Sequence, residues 1–424
     1  MLDVFSPTRT IALLAAVAFT VAACSSDDPA ASPASAATTE SPTTESPTID
    51  APTTDAPTTD APTTTDAPTT TEQATTTTID AAALADAYEA PGPYPVGVTT
   101  VSVDNGIQVE VWYPAVEGSE GTDTYDVRDF TAPAIRAILT ADVPATFTSA
   151  AARDAAVADG EFPVVLNSHG FSGIRVGSTF LTAHLASWGI IVVSPDHPTR
   201  DLYHSVAQIT PDVVTEPVDD LLASLDMITA RSTTVGDVFE GHVDVDRVGA
   251  LGHSAGGGTI LAAAADPRID GYVSMASGLL GDTDPALLPD KPSFFLAGAL
   301  DQVISTDRTR DAFLAVPAPS LYWSIGGVGH NGFDDFCTFG DGKGIIGIAE
   351  ASGLGGLLDS MPQFRSLGED GCVAPAAPVQ TTFPIIQHAV TAWFQQLFGN
   401  DKTPQGLGPE VSDSYSEQIT IEVR

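Results

Sequence analysis

The chain has 424 residues and a formal net charge of −39, from 55 Asp and Glu against 16 Lys and Arg. So acidic a surface repels nucleic acid and anionic membranes, and neither is expected as a partner. Hydrophobic residues make up 43%, and the roughly 340 residues beyond the amino-terminal stretches suffice for one large domain or two small ones.

Residues 11–23, "IALLAAVAFTVAA", follow Arg9 and form an apolar run short for a bilayer crossing but suited to a secretory signal. The run ends "VAAC" at Cys24. That arrangement resembles a bacterial lipoprotein signal, which implies a signal over 1–23, a lipidated Cys24 and a site on the extracellular side of a bacterial envelope. Simple secretion is the alternative. Residues 24–85 are dominated by repeats such as "TDAPTTDAPTTTDAPTTT", with no Lys or Arg. Threonine, proline and aspartate without large apolar groups cannot form a core, so a disordered, solvated stalk is expected. The only membrane contact expected is the anchor at Cys24.

The catalytic domain is expected over 86–400. "VTTVSVDNGIQVEVWYPA" (98–115) reads as two strands around the turn Asp104-Asn105-Gly106. Residues 118–160 are acidic and poorly periodic, and read as an insertion. A buried strand over 163–167 stops at "SHGFSG", a helix is predicted over 175–189, a second buried strand over 190–197 and an amphipathic helix over 218–230. "VDVDRVGALG" is a strand that runs into "HSAGGGT", with a helix behind it. Further strands are predicted over 271–277 and 292–300, a short helix over 306–315, a last buried strand over 320–325 and a closing helix over 382–398. Residues 401–424 read as a tail. Apolar strands alternating with helices predict a mostly parallel central sheet flanked by helices, with ligands at the carboxyl ends of the strands.

Ser254 stands at a strand-to-helix turn crowded with Gly252, Gly256, Gly257 and Gly258. Such a turn holds a serine in an uncommon backbone conformation and demands small neighbours. A serine nucleophile needs a base, and the base needs an orienting acid. In a sheet of this kind the chain order is serine, acid, histidine. Only His330 and His388 follow Ser254. His388 falls inside the closing helix, whereas His330 lies in "IGGVGHNGF", just past a strand end. Asp301 leaves the preceding strand, "SFFLAGAL", while Asp307 and Asp311 fall on the next helix and Asp290 precedes the strand. The expected triad is Ser254, His330 and Asp301. The oxyanion donors expected are the N–H groups of Ala255 and Phe171. Asn167, Ser168 and His169 are expected to hold the Phe171 loop, His184 to be structural, and His197, after a strand, is a candidate to line the pocket. His169, His197 and His204 have no metal-ligand spacing, so no metal and no cofactor are expected. With Cys24 lipidated, Cys337 and Cys372 remain to pair; their loop of about 36 residues could stabilise the fold by roughly 3–4 kcal/mol.

"VEVWYPA", "PVVLNSHGFSG", "GHSAGGGT", "AGALDQVI" and "GHNGF", in that order over about residues 90–400, resemble the α/β-hydrolase superfamily. Two branches are similar: bacterial cutinase-like polyester hydrolases, and platelet-activating-factor acetylhydrolase and dienelactone-hydrolase-like esterases. The resemblance implies an α/β-hydrolase fold and a serine ester hydrolase that works through an acyl-enzyme without a cofactor. Its implied substrate is an apolar ester: a short or medium acyl ester, a lipid or an aliphatic polyester. A monomer is expected. Two departures from the polyesterases are plain: "SMASGLLGD" holds no tryptophan, and Ala255 stands where they usually carry methionine. Residues 331–381 form a long segment after the base, expected as a cap-like insertion pinned by Cys337 and Cys372 beside the site. The same triad could serve peptidase, acyltransferase or acetylhydrolase-like chemistry, and a stalked binding module without catalysis is the alternative of another class.

Overall fold

The computed structural model describes residues 87–279, 283, 288–401 and 406–424. The expected signal, the expected lipidation at Cys24 and the expected stalk lie outside the described residues. Strands β1 (Val96–Ser102) and β2 (Gln108–Pro114) pair antiparallel across the Asp104-Asn105-Gly106 turn, with Gly106 at φ 89°. Glycine adopts that conformation without the penalty a Cβ brings.

Residues 118–160 are more ordered than an insertion suggests. Strands β3 (Asp123–Asp126) and β4 (Thr146–Ser149) make a two-stranded antiparallel sheet, and β5 (Ala152–Arg153) pairs with β1. Tyr125, Val127 and Phe147 are buried in a cluster that also holds Phe339 and Ile348. The segment's few apolar residues contact one another across chain distances that local periodicity cannot register.

The main sheet continues with β6 (Phe162–Ser168), β7 (Ile191–Pro195), β8 (Val243–His253), β9 (Gly271–Met275), β10 (Ser293–Gly298), β11 (Ser320–Ile325) and β12 (Ile419–Val423). Its order is β12-β11-β10-β9-β8-β6-β7-β2-β1-β5, and it is parallel from β11 through β7. Parallel strands are covered on both faces, which is why β6, "FPVVLNS", is buried at every residue. Helices α2 (Pro217–Ser232), α3 (Ala255–Ala263) and α4 (Thr306–Ala315) bury Leu225, Ile260 and Phe313 in one apolar cluster. Helices α1 (Thr179–Ser187) and α8 (Val379–Leu397) bury Leu185 and Ile386 in another.

Two expectations are corrected. The helix predicted from residue 175 begins at Thr179, because a turn closed by Gly177 N–H on Ile174 O comes first and Arg175 reaches Asp196 at 2.8 Å. The expected tail supplies β12, antiparallel to β11 at the sheet edge. Its "ITIEV" is only partly buried, too short and too polar in its surroundings to read as a core strand.

Candidate active site

Three strands deliver three side chains to one edge of the sheet. Ser254 lies between β8 and α3 at φ 56° and ψ −123°. A non-glycine residue held there stores on the order of 1–3 kcal/mol of strain, which the surroundings must enforce. The flanking glycines have a measurable reason: a Cβ at Gly256 would stand 1.9 Å from Ser168 O, and one at Gly252 2.4 Å from Gly256 O. Asp301 follows β10 by three residues, and its Oδ1 accepts the N–H groups of Val303 (2.8 Å) and Ile304 (2.7 Å). His330 follows β11, and Leu300 N–H donates to Val328 O at 2.8 Å, which ties the acid's loop to the base's loop.

The three residues named from sequence come together. His330 Nε2 stands 2.9 Å from Ser254 Oγ, and His330 Nδ1 stands 2.9 Å from Asp301 Oδ2. Burial by itself would pull the His330 pKa down. The hydrogen bond and charge of Asp301, with the charges of Asp370 and Asp334, outweigh burial and raise it above its ordinary 6.5. Such a ring is a stronger proton acceptor than a free imidazole.

Ala255 opens α3, where the first N–H groups have no acceptor within the helix. A Cβ on Gly170, one residue before Phe171, would stand 3.1 Å from the Ser254 Cβ, so this loop runs beside the serine. Of the three residues expected to hold this loop, His169 bonds within it, its Nδ1 donating to Gly170 O at 2.8 Å, whereas Ser168 bonds His197 and Arg200 and Asn167 ties β6 to β7. Asn167 Nδ2 donates to Ser194 Oγ at 2.9 Å, and His197 N–H donates to His169 Nε2 at 3.1 Å. His184 is buried, with Nε2 on Tyr88 O at 2.8 Å. His197 does not line the pocket; it is fully buried between Ser168 and Asp220. Among the described residues no group of three or more His, Cys, Asp or Glu could hold a metal ion.

Ser254, His330 and Phe171 line a cavity of about 150 Å³ together with Phe336, Ile346 and Phe364. The last three belong to the 331–381 segment, which carries α5 (Gly344–Ala351), α6 (Gly355–Asp359) and α7 (Pro362–Glu369). Cys337 and Cys372 are disulfide-bonded. Phe333, in the same segment, is fully buried in the core, its ring centroid 6.1 Å from that of His253.

Sequence reasoning missed Asp370. Its Oδ1 accepts the His330 N–H at 3.1 Å and its Oδ2 accepts the Gln302 N–H at 2.7 Å. One carboxylate therefore clamps the His330 loop to the loop of Asp301 and Gln302, from a position two residues before Cys372. His253 was also missed: it lines the cavity, its Nε2 donates to His330 O at 3.0 Å and its Nδ1 lies 3.4 Å from Asp334.

Residues 146–315 match the family model of PET hydrolase-like proteins. That span contains Ser254 and Asp301 and ends before His330. A bis(hydroxyethyl) terephthalate hydrolase of Streptomyces coelicolor is 32% identical over 118 residues, 28% of this chain and 33% of that protein. The chain thus spans about a third of the length of the curated relative it matches. The crystal structure of a ferulic acid esterase from Streptomyces cinnamoneus superposes with a TM-score of 0.56 at 22% identity, over 78% of this chain and 98% of that one. With its strand order, its strand-to-helix serine and these similarities, this chain is an α/β-hydrolase-fold protein, similar in sequence to PET hydrolase-like proteins over residues 146–315.

Proposed function

We propose that the chain is a serine hydrolase of apolar carboxylic esters, of the polyester or feruloyl esterase type. The observation that carries this reading is the unbroken chain from Ser254 Oγ through His330 to Asp301, at 2.9 Å for each link, opening into an apolar cavity. Ser254 Oγ attacks the ester carbonyl while His330 Nε2 takes its proton. Asp301 holds the ring by Nδ1–H and stabilises the imidazolium. The N–H groups of Ala255 and Phe171 receive the oxyanion. His330 returns the proton to the leaving alcohol, and water releases the acyl group by the same steps in reverse roles. The names of the two Streptomyces enzymes support ester cleavage. In the same reading the chain is exported and held at the cell surface by a lipid on Cys24; mass spectrometry of the mature amino terminus, finding an unmodified start beyond Cys24, would remove that part.

The test is p-nitrophenyl acetate and bis(hydroxyethyl) terephthalate hydrolysis, with labelling by a fluorophosphonate probe. Turnover together with covalent labelling at Ser254 is expected. An intact, folded chain that neither turns over esters nor takes the probe would leave a binding module on a hydrolase fold.

A further inference from the structure

A second cavity, of about 90 Å³, lies against the first. Ser172, Ile345 and Phe364 line both. Its other walls are Val206, Ala349, Leu354, Leu357, Leu358 and Met361, so among the described residues Ser172 is its only polar lining residue. Apart from Ser172 and Val206, this lining comes from the 331–381 segment. We propose that this second cavity is an acyl subsite, which takes the unbranched aliphatic chain of an ester whose carbonyl sits at Ser254. The proposal rests on the hydrolase reading and narrows it.

The direction follows from the chemistry of the step. The leaving oxygen must face His330 to receive its proton, and His330 lines the first cavity but not the second. Ser172 directly follows Phe171, whose N–H is the proposed oxyanion donor. The arm that passes Ser172 and Phe364 into the second cavity is therefore attached to the carbonyl carbon, on the side away from the leaving group.

The lining also selects against polar acyl groups. A terephthalate acyl carries a second carboxyl at its far end, and a ferulate acyl carries a phenol hydroxyl. Beyond Ser172 no side chain in the lining could pair either group, and an unpaired polar group buried there is penalised. A saturated chain meets no such cost. Each methylene it buries is worth up to roughly fourfold in kcat/KM.

The experiment uses p-nitrophenyl acetate, butyrate, hexanoate and octanoate, which share one leaving group. For the wild-type chain kcat/KM should rise with acyl length, and the octanoate should exceed the p-nitrophenyl ferulate. Ala349→Phe, which fills the cavity, should lower the octanoate-to-acetate ratio by about tenfold, the fold-change of one to two unburied methylenes. Met361→Ala enlarges the cavity and should shift the preference to longer chains; it carries the test if the overpacked variant fails to fold. A ratio unmoved in the folded variants would overturn the subsite. So would an effect seen only when the alcohol is lengthened, as in ethyl acetate against hexyl acetate. No hydrolysis of any ester in the series, together with no probe labelling at Ser254, would overturn the hydrolase reading itself, and the subsite with it.

Discussion

The molecule contains the same hydrogen-bond chain twice. Ser254 Oγ, His330 and Asp301 are linked at 2.9 and 2.9 Å; Ser168 Oγ, His197 and Asp220 are linked at 2.9 and 2.9 Å. The surroundings separate them. Ser254 is strained at φ 56° and faces the cavity, whereas Ser168 ends the regular strand β6 and is fully buried. The Ser168 hydroxyl accepts Arg200 Nη2 at 2.7 Å, so its oxygen is already engaged by a cation. The His330 pKa is raised by its carboxylate neighbours, but burial and then the Arg200 charge push His197 well below its ordinary value. His197 is therefore a poorer proton acceptor than His330. Three residues at hydrogen-bond distance do not make a nucleophile. The proposed role of Ser254 calls for access and a basic ring as well, and the Ser168 set has neither.

The most severe break of this contrast is at the serines. Ser254→Ala should lower kcat by on the order of 10⁵–10⁶ and abolish probe labelling. Ser168→Ala should change kcat by less than about tenfold, since its hydroxyl bonds His197 and Arg200 beneath the cavity, while costing about 1–3 kcal/mol of stability for the unpaired partners it leaves. Equal losses of turnover in the two variants, with both chains folded, would end the distinction.

The acids come next. Asp301→Asn should lower kcat by about 10⁴, because the amide favours the wrong tautomer of His330. Asp220→Asn should leave kcat within about tenfold and act on stability through the buried hydrogen bond it alters. Burial raises the Asp220 pKa to about 6, with the Thr215 hydrogen bond and the Arg200 charge opposing. A carboxyl raised on folding stabilises below its unfolded pKa and loses that contribution as pH rises through the folded value. Chemical denaturation should therefore show wild type losing stability relative to Asp220→Asn between about pH 4 and pH 6. A constant difference across that window would contradict the burial of Asp220.

The two clusters also differ in what the sequence reveals of them. Ser254, Asp301 and His330 were legible because each follows an apolar run, "VGALGH", "SFFLAGAL" or "SLYWSI", that ends where a parallel sheet exposes its carboxyl edge. The strand-turn-helix at Ser254 and the order of its partners left few choices. His197 and Asp220 stand 23 positions apart, on a loop and on α2, and meet only because α2 packs against the sheet. No periodicity announces that contact. Strand β12 was hidden for a related reason, since an edge strand is only half-buried and its residues do not form an apolar run. Asp370 was hidden more deeply, because the disulfide and the chain path around it decide where its carboxylate lies.

That disulfide marks a further asymmetry. Cys337 and Cys372 bracket a segment that lines the first cavity and carries Asp370, while among the described residues the Ser168 cluster makes no hydrogen bond to that segment. Replacing both cysteines by serine should lower stability by up to about 3–4 kcal/mol. It should also loosen the His330 loop, read as a fall in kcat and broadened ring signals of His330, with those of His197 unmoved. Unchanged turnover and unchanged acyl-chain preference would show that the segment holds its place without the bond.

The finest test is at Asp370, where position and charge can be told apart. His330 must be unprotonated to take the serine proton, so kcat/KM falls as pH drops through its pKa. That pKa is raised, and Asp370 is one of the charges that raise it. Asp370→Asn removes the charge but keeps an amide oxygen able to accept one of the two N–H groups now held by the carboxylate. The acidic limb of the pH profile should therefore move to lower pH, toward the ordinary histidine value, with a modest loss of kcat on the plateau. The same measurement on Asp220→Asn should leave the limb in place, because that carboxylate faces His197 and not His330. If Asp370 served only to hold the loop, the plateau would fall and the limb would stay. A limb that moved in both variants would mean that the overall charge of the chain, rather than the carboxylate at the clamp, sets the strength of the base.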